Sequence, residues 1–358
     1  MSISLEDSKN AFAYKNDNEL KRAKFLFSSM GKEWLVKLGL RLTPFALKFG
    51  LPLKGLIRKT IFNQFVGGET LQETSAVAEK LAQHKVQVIL DYGVEAKEGE
   101  ENFDKATAEF IKVIRYAATQ PNIPFMSVKL TGFSRFELLE KIDSASVYHD
   151  IIKGKISLEK LNTNEKEEWE RVVARLHKIC GAANESNVGV LIDAEESWIQ
   201  DPVDAVTIQM MEEFNTYKPV IYNTAQLYRK DRMQFVKDIS GYAKEKNFIC
   251  ALKLVRGAYM EKERKRANAL KYPTPINENK KVTDDEFNAA LEFCINPKNK
   301  VHTIVGSHNE YSNLLAVQLM EKYGVAFNDP RIRFSQLYGM SDNITFNLAK
   351  AGCLASKY

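Results

Sequence analysis

Eight short β-rich runs, separated by stretches with helical spacing, constrain this chain more than any other feature. The runs are VQVILDYG from Val86, IPFMSVKLTG from Ile123, NVGVLIDAEES from Asn187, VIYNTAQL from Val220, FICALKLVRGAY from Phe248, VHTIVGSHN from Val301, IRFSQLYG from Ile332 and CLASKY from Cys353. Between them lie segments such as EENFDKATAEFIKVIRYAATQ, apolar on one helical face and charged on the other. Strands alternating with helices pair in parallel, and eight units are the number that closes a (β/α)8 barrel. The predicted fold class is therefore α/β, a TIM-like barrel over 86–358 preceded by an N-terminal helical segment over 1–85. An open doubly wound sheet is the alternative, but it would normally carry a glycine-rich first turn, and GxGxxG is absent. One interval is irregular: 132–187 has room for two helices, FELLEKIDSASVYHDII and a second opening near Thr163 and Asn164, whose charge run reads as a solvated face.

The 358 residues suffice for one large domain with an accessory segment. Cys180, Cys250, Cys294 and Cys353 lie far apart without CxxC spacing, which points away from a zinc ribbon or disulfide framework and toward a reducing compartment. The opening SISLEDSKNAF is unlike a signal or transit peptide, and no apolar run is long enough to span a bilayer. A cytoplasmic protein is expected, peripheral at most on the inner face of the cytoplasmic membrane, or in the mitochondrial matrix if eukaryotic. The net charge of +5 is uneven: Lys15 to Thr60 holds eleven Lys/Arg against three acids. Within it, WLVKLGLRLTPFALKFGLPLKGLIRKTIFNQF reads as basic amphipathic helices broken at Pro44 and Pro52. Such helices pack on the main domain with their cations outward, or meet anionic lipid. No nucleic-acid motif accompanies the basic run.

In a barrel of this type the groups that bind and react stand at the C-terminal ends of the strands. The late residues of the runs are polar: Asp91, Lys129, Asp193 and Glu195, Gln226, Lys253 and Arg256, His308 and Asn309, Gln336, and Tyr358. Any one of these charges is as readily a structural ion pair. Together, with both signs represented, they point to a mouth that binds a polar ligand. Metal is not expected, because only His308 among the histidines falls at a strand end. A Schiff-base aldolase using Lys129 or Lys253 is open. A retaining glycosidase is weaker, since Asp193 and Glu195 share a strand. A flavin site is equally open, with a cation near the ring and Gly257 and Ala258 allowing close approach. Composition and spacing do not choose among these.

The strings LIDAEESW, AQLYRKDR, KLVRGAYMEKE, GSHNE and FSQLYGMSDN, in this order, resemble the proline dehydrogenase family, and SKNAFAYKNDNELKRAKFLF and IFNQFVGGET resemble its monofunctional branch. The resemblance implies a (β/α)8 barrel that binds FAD, oxidises L-proline to Δ1-pyrroline-5-carboxylate by hydride transfer, and passes electrons to a membrane quinone. It also implies site residues. Lys129 would pair with the proline carboxylate, Tyr259 and Leu337 would pack on the pyrrolidine ring, and Asp193 would belong to the ionic network around it. Gln226, Lys253, Val255, Gly257, Ala258, Ser307, His308, Asn309, Gln336 and Tyr358 would line the flavin, with Lys253 near its reactive edge. Gly257 and Ala258 would be small to admit the cofactor. Tyr358 or a water would accept the ammonium proton. Arg256, on the opposite face by alternation, would be structural and turned toward the helices.

The family's final helix carries an RRxxEN motif whose arginines clamp the substrate carboxylate. That motif does not occur in these 358 residues. The expectation is a fragment with apolar surface exposed along one flank and weakened proline affinity, alongside the reading of a non-enzymatic binding barrel.

Overall fold

The computed structural model describes residues 3–32, 55, 58–93 and 98–358. The basic amphipathic stretch broken at Pro44 and Pro52 lies largely outside them. Each of the eight runs contains a strand: β1 Val86–Asp91, β2 Phe125–Val128, β3 Gly189–Ile192, β4 Ile221–Gln226, β5 Ala251–Val255, β6 His302–Gly306, β7 Ile332–Gln336 and β8 Ala355–Lys357. All pair in parallel with their sequence neighbours, and β8 returns to β1, closing the barrel.

Among the described residues, α1 Ser8–Phe12, α2 Asp17–Met30 and a short helical stretch over Arg58–Phe62 and Asn63–Phe65 precede the barrel, and α3 Leu71–Ala82 leads into β1. The longer barrel helices are α4 Glu100–Ala118, α5 Phe136–Asp143, α6 Thr163–Ser186, α7 Gln200–Phe214, α8 Arg232–Lys246, α9 Met260–Leu270, α10 Lys280–Ile295, α11 Glu310–Lys322 and α12 Asp342–Lys350. In the irregular interval the predicted first helix breaks after Asp143 and resumes as one turn at Tyr148–Ile151. α6 opens at Thr163, as expected. Asn162 caps it, accepting from Glu165 N–H (3.0 Å) while the Glu165 carboxylate accepts from Asn162 N–H (2.9 Å). Its charged face is not wholly solvated either: Arg175 is buried over the Phe103 ring and paired with Glu100 and Asp104.

Period-two alternation sorts each strand into two faces. Outward residues such as Val88, Leu90, Val190, Leu252, Leu254 and Phe334 pack with the helices into one large core. Inward residues Ile89, Phe125, Leu191, Tyr222, Ala251 and Ile304 form a second cluster inside the barrel. Gly189 faces inward because a Cβ there would lie 2.3 Å from the Phe125 ring. Below that ring, Arg333 stacks at 4.9 Å and donates to Gln87 Oε1 (2.7 Å), closing the lower end.

Among the described residues, the expected apolar flank is covered over the strands and remains open only as a cleft. Val88, Leu90 and Ala355 are buried, since α3 and α12 cover β1 and β8, but a cleft of about 520 Å³ stays open beside α3 and β1, with Val66, Leu71, Val77, Leu337 and Met340 in its lining. The N-terminal segment docks on this side. Asn10 Nδ2 donates to Phe346 O (2.8 Å) and Asn347 Oδ1 (2.7 Å), and the Tyr14 phenol donates to Asp342 (2.8 Å). Asp342 also pairs with Lys15 (3.0 Å) and with the fully buried Lys357 (2.8 Å). None of these partners was legible from spacing.

Between α5 and α7 the Asp143 carboxylate accepts from Asp201 N–H (3.0 Å). Burial, then the neighbouring Asp201, pushes Asp143 up to about 7; burial, then Asp204, pushes Asp201 up to about 6. A carboxyl raised on folding favours the fold while protonated. That contribution is complete below about pH 4, where unfolded aspartates ionise, and is lost as pH rises through both raised values. Asp143→Asn keeps the acceptor and removes the charge. It is expected to raise the melting temperature near neutral-to-alkaline pH by about 2–4 °C and to flatten its decline from acid, which calorimetry across pH would show.

Candidate functional site

A cleft of about 560 Å³ opens at the C-terminal ends of the strands, within the size range of small-molecule sites. Lys129, Asp193, Gln226, Lys253, Val255, Gly257, Ala258, Tyr259, Ser307, His308, Asn309, Gln336, Leu337 and Tyr358, the whole predicted set, line it. The barrel brings these together because each stands at or just past the end of its strand.

On its floor Lys253 answers why an apolar strand carries a cation. Ala251, Lys253 and Val255 face the barrel axis while Leu252 and Leu254 face the helices. The Lys253 ammonium bonds to the Asp193 carboxylate, and the Tyr358 phenol donates to the other oxygen of Asp193. Lys253 Nζ also stands 3.3 Å from Tyr358 Oη and 4.6 Å over its ring. Burial, then Asp193, holds the Tyr358 phenol well above its usual range. It stays protonated and donates, which corrects the expectation that it could accept the ammonium proton. Next to this group Asp91 accepts from Ser127 Oγ (3.0 Å) and is raised by burial, then by Asp193. Asp91 was recognised as a strand-end acid but given no role. Lys129 differs from the rest: its ammonium is exposed and, among the described residues, has no hydrogen-bond or ion-pair partner.

Several predicted residues have further jobs. Gln226 is buried, with Nε2 donating to Glu195 O (2.7 Å) and Oε1 accepting from Ala258 N–H (3.0 Å). Gln336 touches the cleft only by its edge, because it lies on the outward face of β7. Its Nε2 donates to Ser307 O (3.0 Å) and Asn313 Oδ1 (3.3 Å), and its Oε1 accepts from Thr345 Oγ1 (2.7 Å), so its amide is spent on the protein. Asn309 caps α11 through Ser312 N–H (3.0 Å). His308 Nδ1 lies 2.9 Å from Ser341 Oγ and Nε2 accepts from Leu337 N–H (3.4 Å), while burial, then Lys357, lowers its pKa. This leaves a neutral ring. Gly257 has φ +135°, and a Cβ there would sit 2.3 Å from the Tyr228 ring. Tyr228 therefore already requires glycine here, cofactor or not. Arg256 reaches Asp284 Oδ1 (2.6 Å), Ser307 Oγ (2.7 Å) and Ser312 Oγ (2.9 Å) and stacks 4.4 Å over Phe287, toward the helices as expected, but it also lines the cleft, which alternation did not suggest.

A free ammonium in one cleft with the Asp193 carboxylate, under walls of Val255, Ala258 and Leu337, suits a small zwitterion with an apolar body. The family model described as proline dehydrogenase matches residues 74–358. The chain belongs to the proline dehydrogenase family. It is 31% identical over 334 residues to proline dehydrogenase 1, mitochondrial, of Dictyostelium discoideum, covering 84% of this chain and 58% of that protein. It is also 31% identical over 319 residues to the carbapenem antibiotics biosynthesis protein CarD of Pectobacterium carotovorum, covering 89% and 79%, and 31% identical over 324 residues to a hydroxyproline dehydrogenase of Xenopus laevis, covering 84% and 69%. The chain thus spans little more than half of the Dictyostelium relative's length. Among solved structures, proline utilization A from Bdellovibrio bacteriovorus, inactivated by N-propargylglycine, shares the fold. Its TM-score is 0.70 at 18% identity, with 98% of this chain and 34% of that chain covered.

An aldolase lysine has no support at Lys253, whose side-chain nitrogen is bonded to the Asp193 carboxylate rather than free in the cleft. Beyond the predicted set, the structure adds Lys280 at the far end of the cleft and Glu195 beside it. Lys280 sits at the start of a solvent-facing helix and carried no sequence signal for a site.

Proposed function

We propose that this chain oxidises L-proline to Δ1-pyrroline-5-carboxylate, with FAD as hydride acceptor and a membrane quinone as the next electron acceptor, the first step of proline catabolism. The observation that carries the reading is the free Lys129 ammonium in one cleft with Asp193, whose charge in turn raises the neighbouring Asp91. Lys129 takes the substrate carboxylate, and the acidic side favours the ring ammonium. Tyr259 and Leu337 supply apolar cover for the ring carbons.

The same cleft fits a flavin. Lys253 offers a buried cation on its floor, Val255 and Ala258 offer apolar wall, and Gly257 offers bare backbone at its lip. These residues, with Ser307, His308 and Asn309, would hold it; when bound, the flavin supplies the acceptor for the hydride leaving the ring carbon next to nitrogen. Asp193 holds Lys253 in place beneath it, and the Tyr358 phenol holds Asp193. With the phenol protonated, the ammonium proton leaves toward Asp91 or solvent.

The purified chain, incubated with FAD and desalted, is expected to retain a visible flavin band that bleaches on anaerobic addition of L-proline. A retained band that bleaches only with hydroxyproline would move the substrate; no retained band would remove the flavin reading. The quinone reading adds a peripheral position on the inner face of the membrane. α2 presents exposed Phe25, Phe27 and Met30 beside Lys21, Arg22 and Lys24. Co-sedimentation with anionic vesicles, weakened by salt, is expected; no binding at low or high salt would remove it. No helix among the described residues is long and apolar enough to cross a membrane.

A further inference from the structure

Glu195 lies two residues beyond Asp193, past the end of β3, and is 4% exposed. The backbone ladder between β2 and β3 ends where Asp193 N–H donates to Val128 O (2.9 Å). Past that point the Glu195 carboxylate continues it. Oε1 accepts from Thr131 N–H (3.2 Å) and Oε2 from the Thr131 hydroxyl (2.5 Å). Glu195's own backbone is fixed on both sides, its N–H donating to Gln200 Oε1 (2.8 Å) and its carbonyl accepting from Gln226 Nε2 (2.7 Å). Since Gln226 Oε1 accepts from Ala258 N–H, a continuous belt of hydrogen bonds ties the ends of β2, β3, β4 and β5.

Lys129 hangs on the first link of this belt. It immediately precedes the 3-10 turn Leu130–Gly132, which closes when Gly132 N–H donates to Lys129 O (3.0 Å). Its ammonium has no partner among the described residues, so its direction into the cleft is set by the turn beneath it. That turn is held to the β3 loop through Thr131.

We propose that Glu195 is a positioning residue for Lys129: its carboxylate pins the Leu130–Gly132 turn to the β3 loop and so fixes the carboxylate-binding ammonium over the cleft that Asp193 shares. Glu195 is not among the residues that line the cleft. The proposal rests on the proline reading only for the ligand that Lys129 takes; the clamp is a property of the chain. Burial pushes the Glu195 carboxyl up to about 7, so glutamine, neutral and of the same shape, imitates its protonated form and serves as the conservative variant.

Two readouts on the full chain test this. In FAD-incubated protein, Glu195→Ala is expected to raise KM for L-proline about tenfold, the scale of a hydrogen bond to a charged group, with little change in kcat. Glu195→Gln is expected to recover most of that loss. Without substrate or cofactor, hydrogen exchange of the peptide spanning 129–135 is expected to accelerate in Glu195→Ala and to stay near wild type in Glu195→Gln. Thr131→Val, which removes only the hydroxyl link, is expected to fall between, and it carries the exchange comparison if Glu195→Ala does not fold. Unchanged exchange in the alanine or valine variant overturns the clamp. So does a loss in kcat with KM unmoved, which would put Glu195 in the chemistry instead. If the wild type itself fails to oxidise proline, the functional reading falls while the exchange comparison still decides the clamp.

Discussion

Lys129→Met is expected to raise KM for L-proline about a hundredfold, the upper range for one charge-assisted contact to a carboxylate, while flavin content and melting temperature stay at wild-type values. The separation of effects follows from the environment of Lys129. Its ammonium is exposed and unpartnered, so removing it leaves no buried group orphaned and no ion pair broken. The methionine retains the stem that packs along the cleft wall. Only the ligand's carboxylate loses a partner, and the loss appears in the ground state as well as in the transition state, which is the signature of a KM effect. Lys129→Arg keeps the charge on a longer, planar head and should fall between. Steady-state kinetics with a thermal melt on the same preparations reads both quantities. A melting temperature that drops with the charge would mean that Lys129 has a structural partner the free geometry does not give it.

The barrel was legible because its cause is local. A strand buried on both faces needs an apolar run, each crossover needs an amphipathic helix, and both patterns are written in consecutive residues. Lys253 was legible for the same reason: in ALKLV the lysine takes an inward position and its neighbours take outward ones. Phase was harder. Gln336 is the last residue of β7 and polar, which suggested the mouth, yet the inward face of that strand runs through Arg333 and Ser335, so Gln336 turns outward toward Asn313 and Thr345. Partner choice was harder still. Nothing near Asp193 in sequence announces Tyr358, 165 residues away, as the phenol that bonds to it, or Lys15 and Lys357 as the cations on Asp342. Gly257 shows how one residue can carry a second cause: the sequence suggested room for a ligand, and the fold also demands room for Tyr228.

Asp193→Ala is expected to abolish turnover and to cost the fold about 3–5 kcal/mol, the range for truncating one partner of a buried ion pair. Asp193 bonds the Lys253 ammonium through one oxygen and the Tyr358 phenol through the other, and the Lys253 and Asp193 side chains are only 7% and 13% exposed. Alanine leaves a cation on the barrel floor without a counter-charge and a buried phenol without an acceptor. Each of these is costly because, with so little of the Lys253 and Asp193 side chains exposed, water replaces the missing partner only in part. Asp193→Asn should be milder, since it keeps an acceptor for one of the two donors while removing the charge. The informative variant is Lys253→Met combined with Asp193→Asn, which removes both charges together. If the pair's main structural effect is to keep each charge company, the double variant recovers most of the stability lost in Asp193→Ala and remains inactive, because the cation and the carboxylate are needed in the cleft rather than in the fold. Urea unfolding of the three variants beside wild type measures this directly. A double variant as unstable as Asp193→Ala would mean that the loss does not come from the unpaired Lys253 charge, because the double variant carries no such charge and its asparagine amide oxygen can still accept from the Tyr358 phenol.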